Sequence, residues 1–123
     1  VTWVYRQSTG ELFEGDRLVA KGYSGHGASL NKPADQVRAN FGPIPRGDWI
    51  VASAFDSPKR GPFCLRLIPC QGTDTFGRSG FLCHGDAVGH PGEFTASEGC
   101  IVLPRAVREQ VFASKDHLLR VVE

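Results

Sequence analysis

The chain has 123 residues, 41% of them hydrophobic, and a formal net charge of +1. That size and composition support one domain over residues 1–123, built on a single core, and argue against a disordered polyelectrolyte. The balanced charge gives no handle for nucleic acid or an anionic membrane surface, and no apolar run is long enough to insert into a bilayer.

The opening Val1-Thr2-Trp3-Val4-Tyr5 lacks the basic-then-apolar pattern of a secretory signal. The absence of an initiator Met points to processing or to excision from a longer chain. Fifteen glycines and eight prolines, with short apolar runs between them, predict a β-rich domain with many turns. Trp3–Gln7 reads as a strand, Ser8-Thr9-Gly10 as a turn, Glu11–Glu14 as the returning strand. Gly15-Asp16 turns again into Arg17–Tyr23, which completes a small meander. Ser24–Lys32 is polar and glycine-rich. Pro33 then opens a short helix, with Asp35 in its first turn and Val37 and Phe41 on one side. Gly42-Pro43-Ile44-Pro45-Arg46-Gly47 is a stiff loop.

Trp49–Phe55 and Phe63–Ile68 read as core strands. Gly77-Arg78-Ser79-Gly80 is a turn leading to a strand over Phe81–His84. Alternation there sends Phe81 and Cys83 one way and Leu82 and His84 the other, so His84 ends a strand at the edge of a cleft. Gly85–Ala96 is a loop. Pro104 opens a helix with Leu103, Val107 and Val111 on one face, and Leu118–Val122 is the final strand.

Two residues carry the chemistry. Cys100 lies in Ser97-Glu98-Gly99-Cys100-Ile101-Val102-Leu103, and His84 begins His84-Gly85. A thiolate is a strong nucleophile, and an imidazole beside it can take its proton and return it to a leaving group. Gly99 allows close backbone approach, and the amides of Gly99 and Cys100 are the natural oxyanion donors. Each residue alone also fits a buried core position; together they favour acyl transfer through a thioester. The order, histidine before cysteine, is not that of papain. A nucleophilic Cys100 must be free, which leaves at most one bridge among Cys64, Cys70 and Cys83; these three read mainly as packed thiols. Cys83, His84, His90 and Cys100 offer soft metal ligands, but their spacing is not that of a zinc site. No cofactor is expected.

His84-Gly85 followed by Ser97-x-Gly99-Cys100 resembles the signature of the L,D-transpeptidase catalytic domain (the YkuD-like family). Further blocks narrow the resemblance: Trp3-x-Tyr5-x-Gln7-Ser8-Thr9-Gly10, Gly22-Tyr23-Ser24-Gly25, Gly42-Pro43-Ile44-Pro45-Arg46-Gly47 and Phe76-Gly77-Arg78-Ser79-Gly80-Phe81. With the Cys100 segment they look like the branch of that superfamily used as antibacterial effectors of type VI secretion. The resemblance implies a mixed α+β, β-dominated fold: an L,D-transpeptidase-like sheet or sandwich with a few short helices. It implies a cysteine L,D-transpeptidase or L,D-carboxypeptidase acting on peptidoglycan stem peptides, and a cognate immunity protein as partner. The place of action would be the periplasm of target bacteria. Typical members carry a second histidine where this chain has Glu98, so the base role falls to His84 alone.

Secondary candidates keep two readings each. Ser97 either bonds near His84 and substrate or braces a turn. Arg78 either binds a substrate carboxylate bidentately or is an exposed loop charge. Tyr23 either lines the cleft or packs at a strand end. Asp86 either orients His84 or binds a substrate amine. Glu98 either orients a substrate amine or is solvated. His26 and His90 read as solvated and His117 as structural. Two other classes compete with the enzyme: a non-catalytic cell-wall binding domain and a zinc-stabilised interaction domain.

Overall fold

The computed structural model describes residues 2–87, Gly89 and residues 92–123; the expectation for His90 therefore lies outside the described residues. The chain opens with a meander. Strand β1 (Trp3–Arg6) returns as β2 (Glu11–Glu14), and Gly15-Asp16 lead into β3 (Arg17–Lys21). Trp3 and Tyr5 are fully buried while Arg6 is exposed, the alternation of a strand with one face on a core.

The expected strand Arg17–Tyr23 is broken at Gly22, and Tyr23–Ser24 form a separate strand, β4. The cause is close approach: a Cβ at Gly22 would overlap the carbonyl of Val102. The Gly22 amide donates to Gly10 O at 2.7 Å. β3 therefore pairs with β2, whereas β4 pairs with a strand from the far end of the chain.

The helix expected after Pro33 is a 3-10 turn, Pro33–Val37, preceded by another over Gly27–Ser29. Its buried side is the opposite of the expected one. Val37 and Phe41 are exposed and Gln36 is buried. Gln36 Oε1 accepts from Gln7 Nε2 at 3.0 Å and from the Arg46 amide at 2.9 Å, so a polar demand from the interior sets the orientation.

The remaining elements are β5 (Gly47–Ser57), β6 (Gly61–Pro69), β7 (Leu82–His84), β8 (Ile101–Val102), helix α1 (Arg105–Ala113) and β9 (Leu118–Val122). Among the described residues nine strands join one mixed sheet in the order β3-β2-β1-β9-β5-β6-β7-β8-β4. Two pairings are parallel, β1 with β9 and β7 with β8. This corrects the sequence expectation of an L,D-transpeptidase-like sheet or sandwich with a few short helices. The strands form one ladder, and among the described residues there is a single α-helix. The glycines and prolines between Gly25 and Gly47 permit only short turns where further helix was expected.

The two edge strands, β3 and β4, are separated in sequence by Gly22 alone. A flat ladder of this many strands would hold its edges about 38 Å apart at ~4.8 Å per spacing, but Lys21 and Tyr23 can be no more than about 7 Å apart. The sheet is therefore rolled until its edges meet. Trp3, Tyr5, Ile44, Trp49, Leu65, Ile101 and Val121 form the core within one contiguous cluster. Trp49 meets Phe81 edge-on with centroids 5.0 Å apart. Leu103 and Val111 are buried and Val107 is partly buried against this cluster, on the face the sequence assigned to them. No helix among the described residues is long and apolar enough to cross a membrane.

Candidate active site

β7 and β8 run parallel with Cys83 opposite Ile101 and His84 opposite Val102. Cys100 stands just before β8, opposite Leu82, whose amide donates to Cys100 Sγ at 3.4 Å. Side chains alternate along a strand, so Leu82, His84 and Cys100 share one face, with His84 and Cys100 on a diagonal. The sheet thus brings the two principal sequence candidates together. Both are buried.

The histidine's protonation pattern follows from its contacts. His84 Nδ1 lies 2.7 Å from Gly85 O, which can only accept, so Nδ1 carries the proton. Nε2 is buried without a hydrogen-bond partner among the described residues. It is a lone pair held in place and unspent. Burial lowers the His84 pKa; the Gly85 carbonyl opposes that, and Arg60 and Arg108 add to the lowering. Burial raises the Cys100 thiol, against the opposing Leu82 amide and Arg60. Both directions favour a neutral thiol and a neutral imidazole at rest.

The loop before Cys100 is braced by buried hydrogen bonds. Ser97 Oγ accepts from the amides of Gly25 at 2.8 Å and Gly99 at 3.1 Å and donates to Cys100 O at 2.5 Å. Ser24 Oγ donates to Gly99 O at 2.9 Å and accepts from the Ile44 amide at 2.8 Å. His26 Nδ1 donates to Ser97 O at 2.7 Å, and its ring packs on Phe41, so His26 is engaged where a solvated side chain was expected. Ser97 belongs to this frame and makes no bond to His84. The Gly99 amide is spent on Ser97.

Arg78 is also a frame residue. Its Nη1 donates to the carbonyls of Gln36 and Pro43, and its Nη2 to Gly42 O at 2.8 Å and Glu98 O at 3.2 Å. The guanidinium is buried over the Phe81 ring. These bonds occupy both Nη atoms, leaving no fork open to a carboxylate.

Tyr23 and Asp86 pair with each other rather than with His84. Tyr23 Oη donates to Asp86 Oδ1 at 2.7 Å and accepts from the Ala96 amide at 2.9 Å. Asp86 also accepts from the amides of Ala87 and Gly92, both at 2.9 Å. Burial alone would raise the Asp86 carboxyl; these bonds more than offset it and hold it below the usual carboxylate range. Burial and the Asp86 contact raise the Tyr23 phenol. The pair ties the loop after His84 to β4.

Two clefts flank the diagonal. One, of about 490 Å³, is lined by Cys100, Gly99, Glu98, Gly80, Phe81 and Lys59 among others. The other, of about 780 Å³, is lined by Gly85, Asp86, Tyr23, Val102 and Arg108 among others. Arg60 lines both. It donates to Ala96 O at 3.0 Å and to Glu98 Oε1 at 3.2 Å, and Lys59 Nζ lies 3.9 Å from the same oxygen. Glu98 is thus ion-paired at the lip of the Cys100 cleft. Arg60 escaped the sequence reading because Pro58-Lys59-Arg60-Gly61 looks like any charged turn; a cation beside a tight hairpin end is its only signal.

The four cysteines are free thiols. Burial pushes Cys83 up to about 12, so it is inert at neutral pH. Among the described residues no group of three or more His, Cys, Asp or Glu side chains converges as a metal site.

The sequence model of the Tlde1 domain family matches residues 19–122. The matched segment runs from β3 to β9 and includes both clefts. No curated protein matches the chain.

Proposed function

The chain belongs to the Tlde1 domain family of type VI secretion effectors, and from that membership we propose that it is a cysteine L,D-carboxypeptidase or L,D-transpeptidase acting on peptidoglycan. Membership of an effector family also implies a cognate immunity protein. The substrate is a tetrapeptide stem, cut between the L-centre of diaminopimelate and the terminal D-alanine in the periplasm of a target cell.

The observation that carries this reading is the unpaired, buried Nε2 of His84, whose lone pair is fixed by the Nδ1–H bond to Gly85 O. A general base needs a free lone pair at a defined place. On substrate binding, Cys100 Sγ comes within reach of Nε2 and gives up its proton. The thiolate attacks the diaminopimelate carbonyl. The Cys100 amide faces the oxyanion, since the Gly99 amide is already used by Ser97. The tetrahedral intermediate collapses to a thioester as the D-alanine nitrogen leaves with the proton from His84. Water, deprotonated by Nε2, then attacks the thioester; the acid product departs and Cys100 recovers its proton. A D-amino acid amine replacing water gives exchange.

Purified tetrapeptide muropeptides incubated with wild type and Cys100→Ala test this. Wild type should release D-alanine and the variant should not. Release at equal rates by both proteins would end the cysteine mechanism.

A further inference from the structure

The larger cleft plays no part in the mechanism above, yet it carries an unusual charge. Its floor is apolar, made of Pro62, Val102 and Leu103, and its walls hold Lys21, Arg60, Arg105 and Arg108. Among the described residues the single carboxylate lining it, Asp86, already accepts bonds from Tyr23, Ala87 and Gly92. Arg60 and Arg105 are partly offset by Glu98 and Glu109. Arg108 has no such carboxylate partner among the described residues.

Arg108 is 5% exposed, a costly place for a guanidinium. Three carbonyls satisfy part of it: Nε donates to Leu103 O at 3.0 Å, and Nη1 donates to Pro62 O at 3.0 Å and Phe63 O at 2.7 Å. Nη2 has no hydrogen-bond partner among the described residues. It lies against Gly85, where an added Cβ would approach it to 2.9 Å. A glycine directly after the base therefore gives this nitrogen room at the cleft wall. A buried cation held by one edge, with its remaining N–H groups beside an apolar floor, suits an anion that can accept a charge-assisted hydrogen bond.

We propose that this cleft is a carboxylate subsite: Arg108 Nη2 anchors a carboxylate of a bound peptide, Lys21 and Arg105 strengthen the field, and the apolar floor takes the adjoining side chain or methyl group. The inference rests on the proposed function for the source of the peptide, a stem with several carboxylates. Arg60, shared by the two clefts, lets one ligand span both. The site would hold the stem on the His84 side while Cys100 works from the other.

The test uses the full chain as Cys100→Ala, which removes turnover, labelled with ¹⁵N. It is titrated with the stem tetrapeptide and with the same peptide after amidation of its carboxylates. The acid should bind about tenfold tighter or more, shifting the amide signals of Gly22, Gly61 and Gly85. Arg108→Gln should abolish the preference. Because that variant also strips bonds from three carbonyls, Lys21→Gln is the second variant, with acid binding weakened about threefold at unchanged melting temperature. Equal affinity for acid and amide, shifts confined to Gly80 and Gly99, or unchanged binding in Lys21→Gln and Arg108→Gln would overturn the subsite. If wild type leaves the tetrapeptide intact while the acid preference persists, the enzyme reading fails and the subsite stands. If wild type releases D-alanine without any acid preference, the reverse holds.

Discussion

Arg78 and Gly99 compete for one small volume: a Cβ on Gly99 would overlap Arg78 Nη2. The residue before Cys100 is glycine because an arginine fills the space a side chain would need. Its φ of +134° independently favours glycine. Gly99→Ala should therefore lose about 2–4 kcal/mol of stability from strain and displaced packing, read by denaturant melts. Arg78→Ala empties that volume. The double variant should be less destabilised than the two single losses added together; strict additivity would show that the two residues do not share the space.

Ser97→Ala removes one oxygen that serves the amides of Gly25 and Gly99 and the carbonyl of Cys100. Two buried N–H groups lose their acceptor, at about 1–3 kcal/mol each. Under the proposed mechanism kcat should fall at least tenfold with KM changed less, because the loop carrying Cys100 loses its brace. A rise in KM at constant kcat would place Ser97 against substrate instead.

The pH profile follows from His84. Its pKa is lowered by burial from 6.5, and under the proposed mechanism His84 must be neutral to act. The acid limb of kcat/KM should lie below pH 6.5, with activity rising to a plateau as pH climbs through the folded pKa. Stability follows the same direction. Below pH 6.5 the unfolded chain takes up a proton more readily than the folded one, so the His84 contribution is complete above 6.5 and is lost as pH falls through the folded value. An acid limb above 6.5 would contradict the neutral-base assignment.

Glu98→Gln leaves Arg60 and Lys59 without their shared carboxylate. All three side chains are partly exposed, so stability should change by less than about 1 kcal/mol. Glu98 raises the Cys100 thiol and Arg60 lowers it. Iodoacetamide should therefore alkylate Cys100 faster in Glu98→Gln, by about two- to threefold at pH 8, and more slowly in Arg60→Gln. Mass spectrometry of the modified peptide reads both rates.

Local signals were legible in the sequence. The turns at Gly10 and Gly15, the apolar run Leu118–Val122 and the apolar face after Pro104 are written in neighbouring residues, and the strands and helix appear there. The same holds for His84 and Cys100, which differ in kind from their surroundings. Contacts between distant loops were not legible. Nothing near Arg78 announces four carbonyls from three separate segments, and nothing near Ser24 announces the carbonyl of Gly99. Val37 and Phe41 misled because apolar spacing promised a buried helix face, while the interior required the amide of Gln36. The rolled sheet escaped for the same reason: the meeting of β3 and β4 depends on Gly22 lying against Val102, far away along the chain.

The parallel pairing of Trp3 with Leu119 and Arg6 with Val122 has a consequence for biosynthesis. β1 is made before β9, so it cannot gain its inner neighbour until the chain has been extended that far. β5, from the middle of the chain, waits for the same strand. Contacts of such long sequence separation form slowly. The nascent chain can assemble the β5–β6 hairpin, but in the strand ladder the half that carries Trp3 and the half that carries Trp49 are joined through β9. Closure of the sheet around Trp3 and Trp49 therefore waits on β9, a strand far along the chain from the β1 it joins.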